Sequence, residues 1–296
     1  MLKNEVCVND PHLLDGVATR TVRAKSSYRA ALSQYRTQPQ LARICWGTWI
    51  ITIGSILVWC FTASQVAQTM GAHSLSAILT HIFNNAINTQ PNSDDALTTI
   101  LIRYGAKENN LILQGQYWRF LTPIFLHVNL LHVGLNMLNL VILGTFLERL
   151  VGHLRFLLIY LITGIISIIA SFVFAPDVIS VGASGAIFGL VGAYSIFVLV
   201  HRRAFPRGGL LALLWLVFIV GINLAFGFMI ANVDNNAHIG GLISGCILGW
   251  WFTPLYRPTA NQILIDTHRL SRSWPLALLT ILGTLLLAIL ALHLGH

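Results

Sequence analysis

The fold class this sequence predicts is an all-α polytopic membrane protein, a six-helix bundle with one further transmembrane helix at its C-terminal end. Three observations predict it. The chain is 55% hydrophobic and 9% charged, whereas a soluble domain carries roughly 25% charged residues. Seven apolar stretches approach the ~20 residues that a helix needs to cross hydrocarbon: 44–64, 127–148, 155–174, 184–201, 209–230, 237–255 and 274–294. With a cytoplasmic leader and alternating spans, the 18 lysines and arginines all fall on the cytoplasmic side except Arg103, Lys107 and Arg119. That is the positive-inside bias, and it places the N-terminus inside and the C-terminus outside. The net charge of +8 is therefore an orientation signal. The expected partner is the lipid bilayer, with no nucleic acid.

Taken in order, residues 1–43 form a mixed cytoplasmic tail with a short helix expected around 20–36 and no folded domain. More than forty residues precede the first span, which excludes a cleavable secretory signal in the usual position. The leader's arginines and serines suit a mitochondrial presequence, but Glu5, Asp10 and Asp15 argue against one. The core is expected at 44–256. Within it the longest connection, 65–126, faces outside. Its stretches Ser74–Thr80 and Ala96–Tyr104 are too short to span, and with Trp118 they are expected to lie along the membrane interface. The links Ala175–Ala183 and Ala231–Asn236 are short. A cytoplasmic linker, 257–273, contains Pro258. It leads to the accessory segment 274–296, whose only mid-depth polar residues are Thr280 and Thr284. Cys7, Cys45, Cys60 and Cys246 have neither disulfide-framework nor metal-site spacing and read as small apolar fillers.

Polar groups inside a membrane are expensive, and they mark functional sites by default. Ser184 begins the fourth span, flanked by Gly182 and Gly185, after a non-helical Val178–Gly182 stretch. A helix N-terminus there offers unpaired amides that favour developing negative charge. By itself this serine reads as a helix cap or a small packing residue rather than a nucleophile. His238 begins the sixth span, on the same side of the membrane and at the same depth. Gly241, Gly245 and Gly249 recur at every fourth position, as small residues do where membrane helices touch. A serine and a histidine on helices able to approach closely make a nucleophile and its general base. No carboxylate is placed to complete a triad, since Asp234 is expected in the loop. His132 and Asn136 share one face of the second span, with His127 just before them. Their side-chain donors suit an oxyanion site, although hydrogen bonding to neighbouring helices is an alternative for Asn136 and His127. A zinc site of His127, His132 and His238 is disfavoured, because the H-E-x-x-H pattern is absent and no carboxylate lies nearby. No metal or other cofactor is expected.

The string Tyr117-Trp118-Arg119-Phe120-Leu121-Thr122-Pro123 is followed by His127, His132 and Asn136, then by Gly144, Glu148 and Arg149. Gly182-Ala183-Ser184-Gly185-Ala186-Ile187-Phe188-Gly189 and Ala237-His238 with Gly241 and Gly245 complete the series. In this combination and order, across roughly 100–255, the chain resembles the rhomboid family of intramembrane serine proteases, in its six-plus-one subgroup. The resemblance implies an endopeptidase that cuts transmembrane segments of single-span or other membrane proteins near the outer face. Ser184 would be the nucleophile and His238 the base, with His132, Asn136 and the amides near Ser184 forming the oxyanion site. It further implies structural pairs Trp118–Arg119 and Glu148–Arg149, and a ring at Phe188 packed on the catalytic histidine. Mitochondrial members usually carry the extra helix in front, so a bacterial inner membrane is the expected location. Two other classes compete. One is a catalytically inactive rhomboid-like protein that binds and routes membrane proteins, against which both Ser184 and His238 are retained. The other is a transporter, which commonly shows paired halves with broken helices; no such internal symmetry is visible.

Overall fold

The computed structural model describes residues 44–84, 96–202, 209–229, 233–258, 264–268 and 270–294. The tail 1–43, with its expected helix, lies outside them.

Helix α1 is Trp46–Thr69 and α2 is Leu75–Asn84; α3, Ala96–Arg103, and the short α4, Asn109–Leu113, belong to the long connection. Two 3₁₀ turns, Tyr117–Phe120 and Thr122–Phe125, lead into α5, Leu130–Val151. Then come α6 (His153–Phe174), α7 (Ser184–Val200), α8 (Leu210–Met229), α9 (Asn235–Phe252) and α10 (Leu270–Leu294). The seven long helices fall on the seven expected stretches, with ends shifted by a few residues. Among the described residues, α1, α5 and α6 are each long and apolar enough to cross a membrane. The fold is an all-α membrane bundle. Its one sheet among the described residues is a short antiparallel pair, β1 (Tyr256–Pro258) and β2 (Leu264–Asp266), in the expected linker.

Helix α1 is arranged inside out relative to a helix of a soluble protein. On α1 the small polar residues Thr48, Thr52, Ser55 and Thr62 are buried, while Ile50, Ile53, Leu57 and Phe61 face outward. In lipid, large apolar side chains belong on the outer face, and small residues let helices approach each other. The buried core runs through Leu140, Leu147, Phe156, Tyr160, Leu190 and Phe252.

Two features position the site. The first is the contact of α7 with α9, where a β-carbon at Gly241 or Gly245 would collide with the carbonyls of Gly185 and Gly189. Only glycine permits backbone-to-backbone packing there, and it brings the starts of the two helices side by side. The second is a π turn at Leu140–Gly144 inside α5. The extra residue per turn offsets the face of the outer half, which carries His132 and Asn136, from that of the inner half. There Glu148, buried to 1%, accepts from Gly47 N (2.9 Å), Thr48 N (2.8 Å), Thr48 Oγ1 (2.6 Å) and His153 Nδ1 (2.5 Å). A carboxylate at a helix N-terminus is favourable, so Glu148 fastens the start of α1 to the α5–α6 corner. Arg149, beside it in sequence, is exposed.

The linker is fastened too. Arg155, on α6, pairs with Asp266 at 2.7 Å and donates to His268 O at 2.5 Å. Asp266 Oδ1 accepts from Leu255 N and His268 N. Helix α10 then packs against α6 and α9.

Candidate active site

Ser184 is the first residue of α7, with Ala183 as the preceding cap. His238 lies in the first turn of α9, whose cap Asp234 accepts from Ala237 N at 2.9 Å. Asp234, expected in the loop, thus stands just outside the helix and fixes its first turn. The Ser184 hydroxyl is 2.8 Å from His238 Nε2, although the residues are 54 positions apart. Phe188, one turn along from Ser184, stacks on the His238 ring with centroids 4.5 Å apart and planes inclined by 12°. The ring is held by its flat face, and Nε2 is left to the serine. In the neutral tautomer with its proton on Nδ1, Nε2 accepts from the hydroxyl.

Gly182 has a φ of +124°, in the range that strains other residues, and its amide donates to Pro123 O at 2.9 Å. A β-carbon there would lie 2.7 Å from His132 Nε2 and 3.8 Å from Asn136 Nδ2. Both side chains therefore converge on the backbone just ahead of Ser184. Asn129 caps α5 through His132 N (2.7 Å), and Val128 N makes a long 3.5 Å contact to His132 Nδ1. With Nδ1 accepting, a neutral His132 carries its proton on Nε2, the atom beside Gly182. The expected span began at His127, but Asn129 caps the helix after it, so His127 lies before the helix and packs edge-on against His132 at 5.1 Å. It supports the His132 ring and does not reach Gly182 directly among the described contacts.

Trp118 and Arg119 separate in role. Trp118 is 57% exposed, whereas Arg119 is 4% exposed. The Arg119 guanidinium donates to Gln116 Oε1 (2.8 Å), Ile102 O (2.7 Å) and Ala106 O (2.8 Å). Burial lowers its pKa, and the charge of Glu108 offsets this in part. Arg119 thus ties the 3₁₀ turn to the end of α3. Among the described residues no group of three or more His, Cys, Asp or Glu forms a metal-ligand cluster.

Sequence reasoning missed two contributors: Asn129 and the carbonyl of Pro123. The Asn129–His132 spacing is a readable cap signal. The Pro123 carbonyl acts through a backbone partner distant in sequence and leaves no such signature.

The family model for the Rhomboid domain matches residues 114–255. The chain is 51% identical over 154 residues to "Rhomboid protease GluP" of Bacillus subtilis (strain 168), covering 52% of this chain and 30% of that one. It is 42% identical over 154 residues to "RHOMBOID-like protein 6, mitochondrial" of Arabidopsis thaliana, covering 52% and 50%. To "Putative rhomboid protease YdcA" of Bacillus subtilis it is 35% identical over 140 residues, covering 47% of this chain and 69% of the relative. The match thus spans under a third of the first relative, half of the second and over two thirds of the third.

Proposed function

This chain belongs to the rhomboid family, and from that premise we propose that it is an intramembrane serine endopeptidase using Ser184 and His238. The observation that carries the proposal is the 2.8 Å separation of Ser184 Oγ and His238 Nε2 at the mouths of two packed helices. As Oγ attacks a substrate carbonyl, Nε2 takes the hydroxyl proton, and the carbonyl π pair moves onto its oxygen. His132 Nε2, Asn136 Nδ2 and the amides at the start of α7 are the donors for that oxyanion. Collapse breaks the C–N bond, and the imidazolium returns the proton to the leaving amine. Water, deprotonated by His238 as it attacks the ester carbonyl, then displaces Ser184 Oγ by breaking its C–O bond, and the imidazolium returns the proton to Oγ.

The substrate is a membrane-anchored protein cut near the outer face. Its scissile segment must be extended, since helical carbonyls are already bonded within their helix. The division proposed is a cytoplasmic tail 1–43, a protease core 44–256, a linker 257–273 and an accessory helix 274–296. The N-terminus is inside and the C-terminus outside, in a bacterial inner membrane. The test is proteoliposome cleavage of a single-span substrate by wild type, Ser184→Ala and His238→Ala. Cleavage by wild type alone supports the reading. Undiminished cleavage by either variant, or none by wild type across several substrates, overturns it.

A further inference from the structure

Lys107 is one of the three basic residues on the outer side, and it is 0% exposed. Among the described residues the ion pairs are His153–Glu148 and Arg155–Asp266, so no carboxylate pairs with Lys107. Its ammonium donates to Ala175 O at 2.6 Å and Val178 O at 2.8 Å, with Pro176 O farther off at 3.5 Å. Its backbone is joined to the same segment in both directions: Lys107 N donates to Ser180 O (3.0 Å) and Ser180 N to Lys107 O (3.2 Å). That segment is the loop between α6 and α7, which ends at Ser184. The same loop is held once more where Gly182 N donates to Pro123 O. On the other side, Arg119 grips the neighbouring carbonyl of Ala106. A continuous run of contacts therefore leads from Arg119 through 106–107 to the backbone ahead of the serine.

A buried charge with no carboxylate in direct contact is expensive. Carbonyl dipoles hold this one through charge-assisted bonds, roughly twice as strong as neutral ones.

We propose that Lys107 is a positioning residue of the protease. It pins residues 175–180 so that the backbone from Gly182 to Ser184 keeps the geometry that receives the oxyanion. The role rests on the protease reading, but the effect on the loop does not. Burial lowers the Lys107 pKa from 10.5 to about 8, against the raising influence of Asp234, Glu108 and Asp177 around it. An opened loop would return the amine to water and to its ordinary range, so rising pH between those two values favours the closed loop.

The test compares wild type with Lys107→Met, which keeps the side chain's length and removes its donors. At neutral pH the variant should assemble with a thermal midpoint close to wild type and lose kcat roughly ten- to a hundredfold through misplacement, with KM nearly unchanged. Wild-type kcat in the variant, a rise in KM that accounts for the loss, or a loss that vanishes when each protein is assayed at the same margin below its own midpoint overturns the proposal. Amide hydrogen exchange separates this from the protease reading and needs no substrate. At neutral pH, protection across 175–183 should drop in Lys107→Met relative to wild type, with the rest of the bundle protected alike. Unchanged protection overturns the role of Lys107 even if Ser184 proves to be the nucleophile. A drop in a protein that cleaves nothing would sink the protease reading while upholding the loop's dependence on Lys107.

Discussion

At the scale of single residues, His127 and His132 are neighbours with different work. His132 Nε2 sits beside Gly182, whereas His127 touches the His132 ring edge-on. His132→Ala should therefore lower kcat by ~10²–10³, the usual loss for one oxyanion donor. His127→Phe keeps an aromatic edge and should stay within a few-fold of wild type, as a substrate-cleavage assay would show. Equal, large losses would place both rings at the oxyanion. The grouping of Ser184, His238, His132 and Asn136 was legible in the chain, because each stands near the start of an apolar run expected to begin on the same face of the membrane. The division between the two histidines was not legible. It depends on where α5 begins, and Asn129 caps that helix after His127.

At the scale of elements, the bundle depends on one carboxylate and one glycine seam. Glu148 accepts from Gly47 N, Thr48 N and Thr48 Oγ1. Glu148→Ala leaves these donors unpaired in a buried place, at about 1–3 kcal/mol for each buried group left unsatisfied. The thermal midpoint in detergent should drop clearly, and an unchanged midpoint would contradict the role given to Glu148. Gly245→Leu forces a side chain into the carbonyl of Gly189 and should lose both assembly and cleavage. Gly283→Leu in α10, where nothing lies within 4 Å, is the matching control and should do neither. Apolar runs made the helices readable, and glycine at every fourth position marked the seam. The π turn and the strand pair left no pattern. One is a single inserted residue in an apolar run; the other spans three residues on each side.

At the scale of the whole molecule, Lys107 also couples stability to pH. Its folded pKa, about 8, lies below the ordinary 10.5. Between those values the unfolded chain binds more protons, so this residue's contribution to stability rises with pH across that window. Below about 8 the penalty for its buried charge is felt in full. Unfolding midpoints should therefore rise from about 8 upward in wild type relative to Lys107→Met, whereas parallel curves would contradict the lowered pKa.

The central claim is that His238 activates Ser184 as a nucleophile. The most direct measurement is covalent labelling of the membrane-embedded protein by a fluorophosphonate, with the modified residue located by mass spectrometry. The account predicts one adduct, on Ser184, formed quickly in wild type, lost in Ser184→Ala and strongly slowed in His238→Ala. Labelling of Ser184 at the same rate without His238, or an adduct on another residue in wild type, would contradict it.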